Sequence, residues 1–321
     1  MKLGVCYYPE HWPEERWATD ARMMRELQLD YVRIAEFAWS LMEPAAGEYD
    51  WGWLDRAIDT LAAEGLPVIL CTPTATPPAW LTRSHPDILR MDSSRQYRDH
   101  GTRRHVCPNS PVYQKFSRQI VTAMAERYGD DPRIVGWQID NEFGGGKTGR
   151  CYCPFCQTAF QTWLEIRYHS LEALNEAWGT AFWSQTYTAW DQITPPHDGI
   201  NYKNPSQLLD FYRFSSDSLV SYQQEQIDLL RVKSPDRFIT HNFMGLFLDV
   251  EQFDLAHSLD FATWDAYPTG FPDRQRAMLY PLDWDAQRNR PVYAYDVGEP
   301  EIIQMANDLI RGLKQQPFWI M

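Results

Sequence analysis

Two groups of residues in this 321-residue chain have the types and spacing to do chemistry. The first is Asn141-Glu142, which closes the run Ile134-Val135-Gly136-Trp137-Gln138-Ile139-Asp140 and stands just before Gly144-Gly145-Gly146. Five of the six residues from Ile134 to Ile139 are apolar or glycine, so the run reads as a strand buried on both faces, as in a parallel sheet. A carboxyl group at the exit of such a strand, beside an amide and on glycine-rich backbone, is placed to donate a proton. The second group is Cys107 with Cys151, Cys153 and Cys156. A C-x-C-x₂-C cluster with a fourth thiol at a distance supplies four thiolates, enough for a closed tetrahedral zinc site. With all four positions filled by protein, no place remains for a water, which predicts a structural ion rather than a catalytic one. Disulfides are the competing use of these cysteines. Cys6 and Cys71 fall inside expected strands, where a buried thiol behaves as a small hydrophobe.

The elements that must position these groups alternate along the chain. Strands are expected at 2–8, 31–35, 67–71, 134–140, 238–241, 261–264 and 317–321. Helices are expected at 13–28, 53–64, 111–128, 205–232 and 301–313, with 157–178 as an excursion between strands four and five. Seven repeats of strand then helix predict a (β/α)₈ TIM barrel, truncated here after its seventh strand. Residues 1–321 are expected to form one such catalytic domain, incomplete at its C-terminus, with a zinc-binding excursion around 143–180. Residues 277–300 read as a loop insertion, although Pro291–Val297 alternates like a strand and would make Glu299 a catalytic candidate if it were one.

Composition narrows the function classes. Hydrophobic content of 44% and charged content of 23% are those of an ordinary globular protein. A net charge of −13, with no basic cluster beyond Arg103-Arg104-His105, opposes phosphate binding, so nucleic acid is not an expected partner. No window approaches the ~20 apolar residues of a membrane span. The N-terminal residues read as a strand and not as a leader, which makes a cytoplasmic location the expectation.

Cleavage of a glycosidic bond with retention needs two carboxyl groups roughly 5–5.5 Å apart, one as acid/base and one as nucleophile. Glu142 fits the first role, and Asn141 could donate to a sugar hydroxyl beside the reacting carbon. The chain resembles glycoside hydrolase family 42, the β-galactosidases of that family, along nearly its whole length. The resemblance is carried by Tyr7–Trp12, Thr72–Leu81, Arg103–Ser110, Trp137–Glu142 and Trp264–Pro268, all in order. It implies that Glu142 is the acid/base, that Asn141 and Arg103 bind the sugar, and that Trp183 lines the sugar site. Tyr267 matches a residue near the nucleophile, and Arg33 the strand-two arginine of the wider barrel clan. Cys107, Cys151, Cys153 and Cys156 match a zinc site found in many members.

The resemblance also places the family's nucleophile, a glutamate, directly after the motif that reads Pro317-Phe318-Trp319-Ile320-Met321. The expectation is therefore a β-galactoside hydrolase whose second carboxylate is not in this chain, so that the fragment itself is inactive. A homo-oligomer, trimeric in the family, is expected of the full-length enzyme, with β-galactoside oligosaccharides as substrates. The competing classes are a non-catalytic sugar-binding or scaffold barrel and a zinc hydrolase. Of the fourteen tryptophans, most are expected in packing, with Trp319 a second candidate for sugar contact. His241 is expected to be a hydrogen-bonded barrel residue, and Glu36 and Glu43 structural or solvated.

Overall fold

The computed structural model describes residues 2–101, 103–199, 202–268 and 300–321. The loop expected at 277–300, apart from Pro300, and Glu299 with it, lie outside the described residues. Strands fall at each of the seven expected positions: β1 (Gly4–Cys6), β2 (Tyr31–Ile34), β3 (Val68–Cys71), β4 (Ile134–Gln138), the pair β5 (Phe238–Thr240) and β6 (Asn242–Phe243), β7 (Thr263–Trp264) and β8 (Trp319–Ile320). The fifth position is split because the chain leaves the ladder at His241. All pairings are parallel, in the order β1-β2-β3-β4-β5 and then β6-β7-β8. This is the α/β barrel arrangement, with strand sequence and spatial order the same.

The register rests on a close fit at Gly136. It pairs with Phe238 of β5, and a Cβ at that position would come within 2.3 Å of the phenyl ring. Only glycine lets that ring lie against β4. Trp137, Ile139, Ile239 and Trp264 fill the core beside it, each essentially without solvent contact.

Helices cover the outside of the barrel. α1 (Glu14–Glu26) opens with two acids against its dipole. α2 (Trp39–Met42) is one short turn, and α3 (Gly52–Ala63) buries Leu54, Ala57, Ile58 and Leu61 along one face. α4 (Ala79–Ser84) precedes α5 (Pro111–Tyr128), which starts at Ser110, whose hydroxyl accepts from the Tyr113 amide. The excursion after β4 divides into α6 (Pro154–Tyr168) and α7 (Leu171–Trp178). His169 turns left-handed at the break, and Ser170 caps the second helix. These two helices enclose a second apolar core built on Phe160, Leu164, Leu174 and Phe211. α8 (Pro205–Lys233) is capped by Asn204, and α9 (Gln252–His257) and α10 (Pro300–Lys314) follow among the described residues. The short helices α2, α4 and α9 were not expected, since four to six residues give too little periodicity to read. Among the described residues no helix is long and apolar enough to cross a membrane.

Candidate active site

The chain leaves β4 through a segment bound at nearly every residue. The Ile139 amide continues the ladder to the Thr240 carbonyl at 2.9 Å, and the Asp140 amide then donates to Thr72 Oγ1 at 2.8 Å. Asp140 and Glu142 both take left-handed backbone conformations, with φ of 51° and 43°. Non-glycine residues enter that region at a cost and stay only where surrounding contacts over-determine them. Here the contacts are specific. The buried Asp140 carboxylate accepts from Arg104, from Thr74 Oγ1 at 2.7 Å and from the Asn141 amide at 2.7 Å. Arg104 also donates to the Asn141 carbonyl.

The other side of the turn is held by His241 and Asn242, at the junction of β5 and β6. Asn242 Oδ1 accepts from the Glu142 amide at 3.1 Å, and His241 Nε2 accepts from the Phe143 amide at 3.2 Å. His241 Nδ1 lies 2.8 Å from the Ile139 carbonyl and can only donate to it, which fixes a neutral imidazole. Burial pushes its pKa down to about 4. His241 is thus a brace for the turn.

Glu142 faces a cavity of about 260 Å³ at the carboxyl ends of the strands. Its Oε2 is 2.8 Å from the Arg103 guanidinium, which is itself about two-fifths exposed. Asn141, Arg33, Glu36, Asp265 and Tyr267 line the same space. Arg33 donates to Gln138 and meets Glu36 at 2.8 Å, while the Tyr8 hydroxyl donates to Glu36. Asp265 is buried, and its Oδ2 accepts from Asn242 Nδ2 at 2.7 Å. Burial, and then the neighbouring Glu142 charge, raise the Asp265 pKa to about 7, against the opposing effect of Arg33. The Asn141 side-chain nitrogen, Nδ2, is buried with no hydrogen-bond partner among the described residues. An unpaired buried donor is costly, and a ligand acceptor would satisfy it.

The structure brings Glu142, Asn141, Arg103 and Tyr267 to one cavity. Trp183 is not against it. Its ring stacks on Phe182 with centroids 4.5 Å apart, and it is 63% exposed with a left-handed backbone. Trp319 packs against Tyr31 and Phe261. Glu43 is structural: it accepts from Trp39 Nε1 and the Gly47 amide. Glu36, expected to be structural or solvated, is buried and held by Arg33 and Tyr8, and it also forms part of the cavity wall. Asp265 and Asn242 were missed as individual residues. The signals in the sequence were a polar side chain in or directly beside a short buried strand and, for Asp265, its place within Trp264–Pro268.

The four cysteines lie together, all buried, with their sulfurs within 4.8 Å of one another. Cys107 Sγ is 3.3 Å from that of Cys156 and 3.5 Å from that of Cys153, far beyond a disulfide bond of about 2.05 Å. Zinc–sulfur bonds of about 2.3 Å would set tetrahedral sulfurs about 3.8 Å apart, so a metal ion fits with small adjustments. The hydrogen bond with Cys107 holds the Cys153 thiol below its usual pKa. The group could therefore bind a metal. Its position matters because Cys107 follows Arg103 by four residues and Cys151 follows Glu142 by nine. Closing the cluster tethers both arms of the Arg103–Glu142 ion pair.

Comparison with known proteins gives a consistent result. The family model for glycosyl hydrolase 42, described as beta-galactosidase, matches residues 6–321. A beta-galactosidase of Thermus thermophilus is 53% identical over 319 residues, which are 99% of this chain and 48% of that protein. The polyextremophilic beta-galactosidase from the Antarctic haloarchaeon Halorubrum lacusprofundi has a structure matching with a TM-score of 0.93 at 45% identity, covering 100% of this chain and 47% of that one. The beta-galactosidase from the psychrophilic Marinomonas ef1 matches with a TM-score of 0.93 at 44% identity, covering 100% and 48%. The chain spans about half the length of these relatives.

Proposed function

The chain belongs to glycosyl hydrolase family 42, and from that premise we propose that it forms the barrel of a retaining β-galactosidase that removes terminal β-D-galactosyl residues. The observation that supports this most is the cavity at the β4 exit, where Glu142 meets Arg103 and where Asn141, whose side-chain Nδ2 is buried and unpaired among the described residues, lines the wall. In this reading Glu142 gives its proton to the glycosidic oxygen as the bond to the anomeric carbon breaks and a second glutamate attacks that carbon. The Glu142 carboxylate then takes a proton from water, whose oxygen displaces the glutamate and releases galactose. Asn141 donates to the hydroxyl next to the anomeric carbon. Arg103 and Tyr267 bind further hydroxyls from the cavity wall. Trp183 is assigned a sugar contact on the resemblance alone.

Among the described residues two other carboxyl groups line the cavity. Glu36 is committed to Arg33 and Tyr8, and Asp265 to Asn242. On the resemblance, in which a glutamate directly follows the motif that reads Pro317–Met321 here, we assign the nucleophile to a glutamate outside residues 1–321, and a polypeptide of these residues alone is expected not to turn over. We assign Cys107, Cys151, Cys153 and Cys156 to a structural zinc ion, which when bound would neutralise the clustered thiolates. Thiols kept for a metal fit a reducing compartment, the cytoplasm, and the whole protein is proposed to be a homo-oligomer.

Hydrolysis of an aryl β-galactoside tests the reading. A polypeptide of the relatives' length carrying this barrel should turn over, and Glu142→Gln in it should lower kcat by about 10²–10⁴ while leaving binding of a galactose-configured iminosugar intact. Rapid hydrolysis by residues 1–321 alone would contradict the nucleophile assignment and point to Asp265, Glu36 or Glu299. Galactose binding without turnover in either polypeptide would favour a non-catalytic sugar-binding barrel.

A further inference from the structure

One asparagine decides which atom of Asn141 is left for a ligand. Asn242 opens β6 and is wholly buried. Its Oδ1 lies 3.1 Å from the Glu142 main-chain nitrogen. A backbone N–H can only donate, so the side-chain atom facing it must be the amide oxygen. The Asn242 nitrogen then occupies the opposite branch, and both of its hydrogens are engaged. Nδ2 donates to Asp265 Oδ2 at 2.7 Å and to Asn141 Oδ1 at 2.8 Å. Asp265 is itself fixed at the end of β7, since its amide donates to the Phe243 carbonyl at 2.9 Å. Asn141 is constrained in turn. The atom that meets an N–H of Asn242 must be an acceptor, which puts Nδ2 on the other branch of the Asn141 amide. Its main chain is held as well, because the N–H donates to Asp140 Oδ1 at 2.7 Å and the carbonyl accepts from Arg104. Asn141 is 3% exposed and lines the cavity, and Nδ2 is its one polar atom without a partner among the described residues.

We infer that Asn242 is a positioning residue that determines specificity: by holding Asn141 Oδ1 it commits Asn141 to meet the substrate as a donor, so the substituent beside the anomeric carbon must be a hydrogen-bond acceptor. The inference rests on the proposed contact between Asn141 and the hydroxyl next to that carbon. A hydroxyl fits, with a lone pair toward Nδ2 and its own hydrogen left for another partner. A hydrogen in its place, as in a 2-deoxy sugar, leaves Nδ2 buried and unpaired, and an ammonium sets a donor against a donor. Without Asn242 the Asn141 amide is free to turn about its terminal torsion, which has only a broad preference, and can present either atom. Asn242 also seats the Glu142 amide, so its loss slows every substrate. Discrimination at the one hydroxyl is what reports on Asn141.

The quantity to measure is the ratio of kcat/KM for an aryl β-galactoside to that for the aryl 2-deoxy-β-galactoside, in a polypeptide of the relatives' length that carries this barrel. Comparing ratios between variants removes the different intrinsic reactivity of the two substrates. Asn242→Leu should lower the wild-type ratio by about tenfold or more, Asn141→Ala by at least as much, and the double variant no further than Asn141→Ala alone. Equal slowing of both substrates in Asn242→Leu, or additive effects on the ratio in the double variant, would overturn the inference. Asn242→Ser, which keeps a small polar group at the position, gives the same comparison should Asn242→Leu not fold. If the wild type cleaves neither substrate, the proposed function fails, and the ratio is read instead from the dissociation constants of galactose and 2-deoxygalactose. A preference for galactose that the Asn242 variant abolishes then upholds the inference, and no preference in the wild type, or one unchanged in the variant, overturns it.

Discussion

Glu142 occupies a left-handed backbone position that its own side chain does not favour, and Asp140 and Arg104 are what hold it there. Their ion pair is almost fully buried and closes onto the Asn141 carbonyl. Breaking a buried pair by removing one partner leaves an uncompensated charge and costs about 3–5 kcal/mol. Arg104→Leu should therefore destabilise the fold by that order in urea titration, and loss of less than about 1 kcal/mol would show that the pair is dispensable. A second effect at this scale is pH-dependent. His241 and His105 are both buried, and burial lowers each pKa from 6.5 to about 4. The folded state then binds fewer protons than the unfolded chain between those values, so stability rises with pH across that window. The contribution is complete above about 6.5 and is lost as pH falls through 4. Urea midpoints should fall on acidification from pH 6.5 to 4, and His241→Gln should flatten part of the slope.

At the scale of elements, the site depends on strands that fit closely and on a cluster that ties two loops. Gly136→Ala would drive a methyl into the Phe238 ring. Overpacking of this kind costs typically about 1–3 kcal/mol. Phe238→Leu in the same chain should recover part of it, and independent effects of the two changes would argue against the contact. Removing metal from the cysteine cluster should lower the melting temperature and expose the 143–156 loop to protease, without changing the chemistry at Glu142. Abrupt loss of turnover with rapid recovery on adding zinc would instead revive a metal-dependent hydrolase. Much of this level was legible in the sequence. Runs such as Ile134–Ile139 and Val68–Cys71 are apolar enough to read as buried strands, and the cysteine spacing announced its cluster. Asp265 and Asn242 were not, because one follows and the other opens a two-residue strand that shows no period, and both lie over 100 residues from Asn141. Trp183 was placed by resemblance, which carries no information about which face of the molecule a loop presents.

The whole molecule raises a different question, that of open edges. Among the described residues β1 pairs only with β2, and β8 only with β7. Val5 on β1 and Ile320 on β8 are both more than a third exposed. Unpaired parallel edges with apolar side chains invite association. A polypeptide of residues 1–321 alone is expected to self-associate in sedimentation velocity, and a sharp monomer boundary at high concentration would contradict that. The overall class was readable because βα repetition fixes few topologies. The proposed chemistry converges on Glu142, and the most direct measurement is chemical rescue in a polypeptide of the relatives' length that carries this barrel. Glu142→Ala should cleave a β-galactoside with a good leaving group slowly, and azide should restore turnover with β-galactosyl azide as the product. An unchanged rate in Glu142→Ala, no response to azide, or the α-anomer as product would contradict Glu142 as the acid/base of a retaining enzyme.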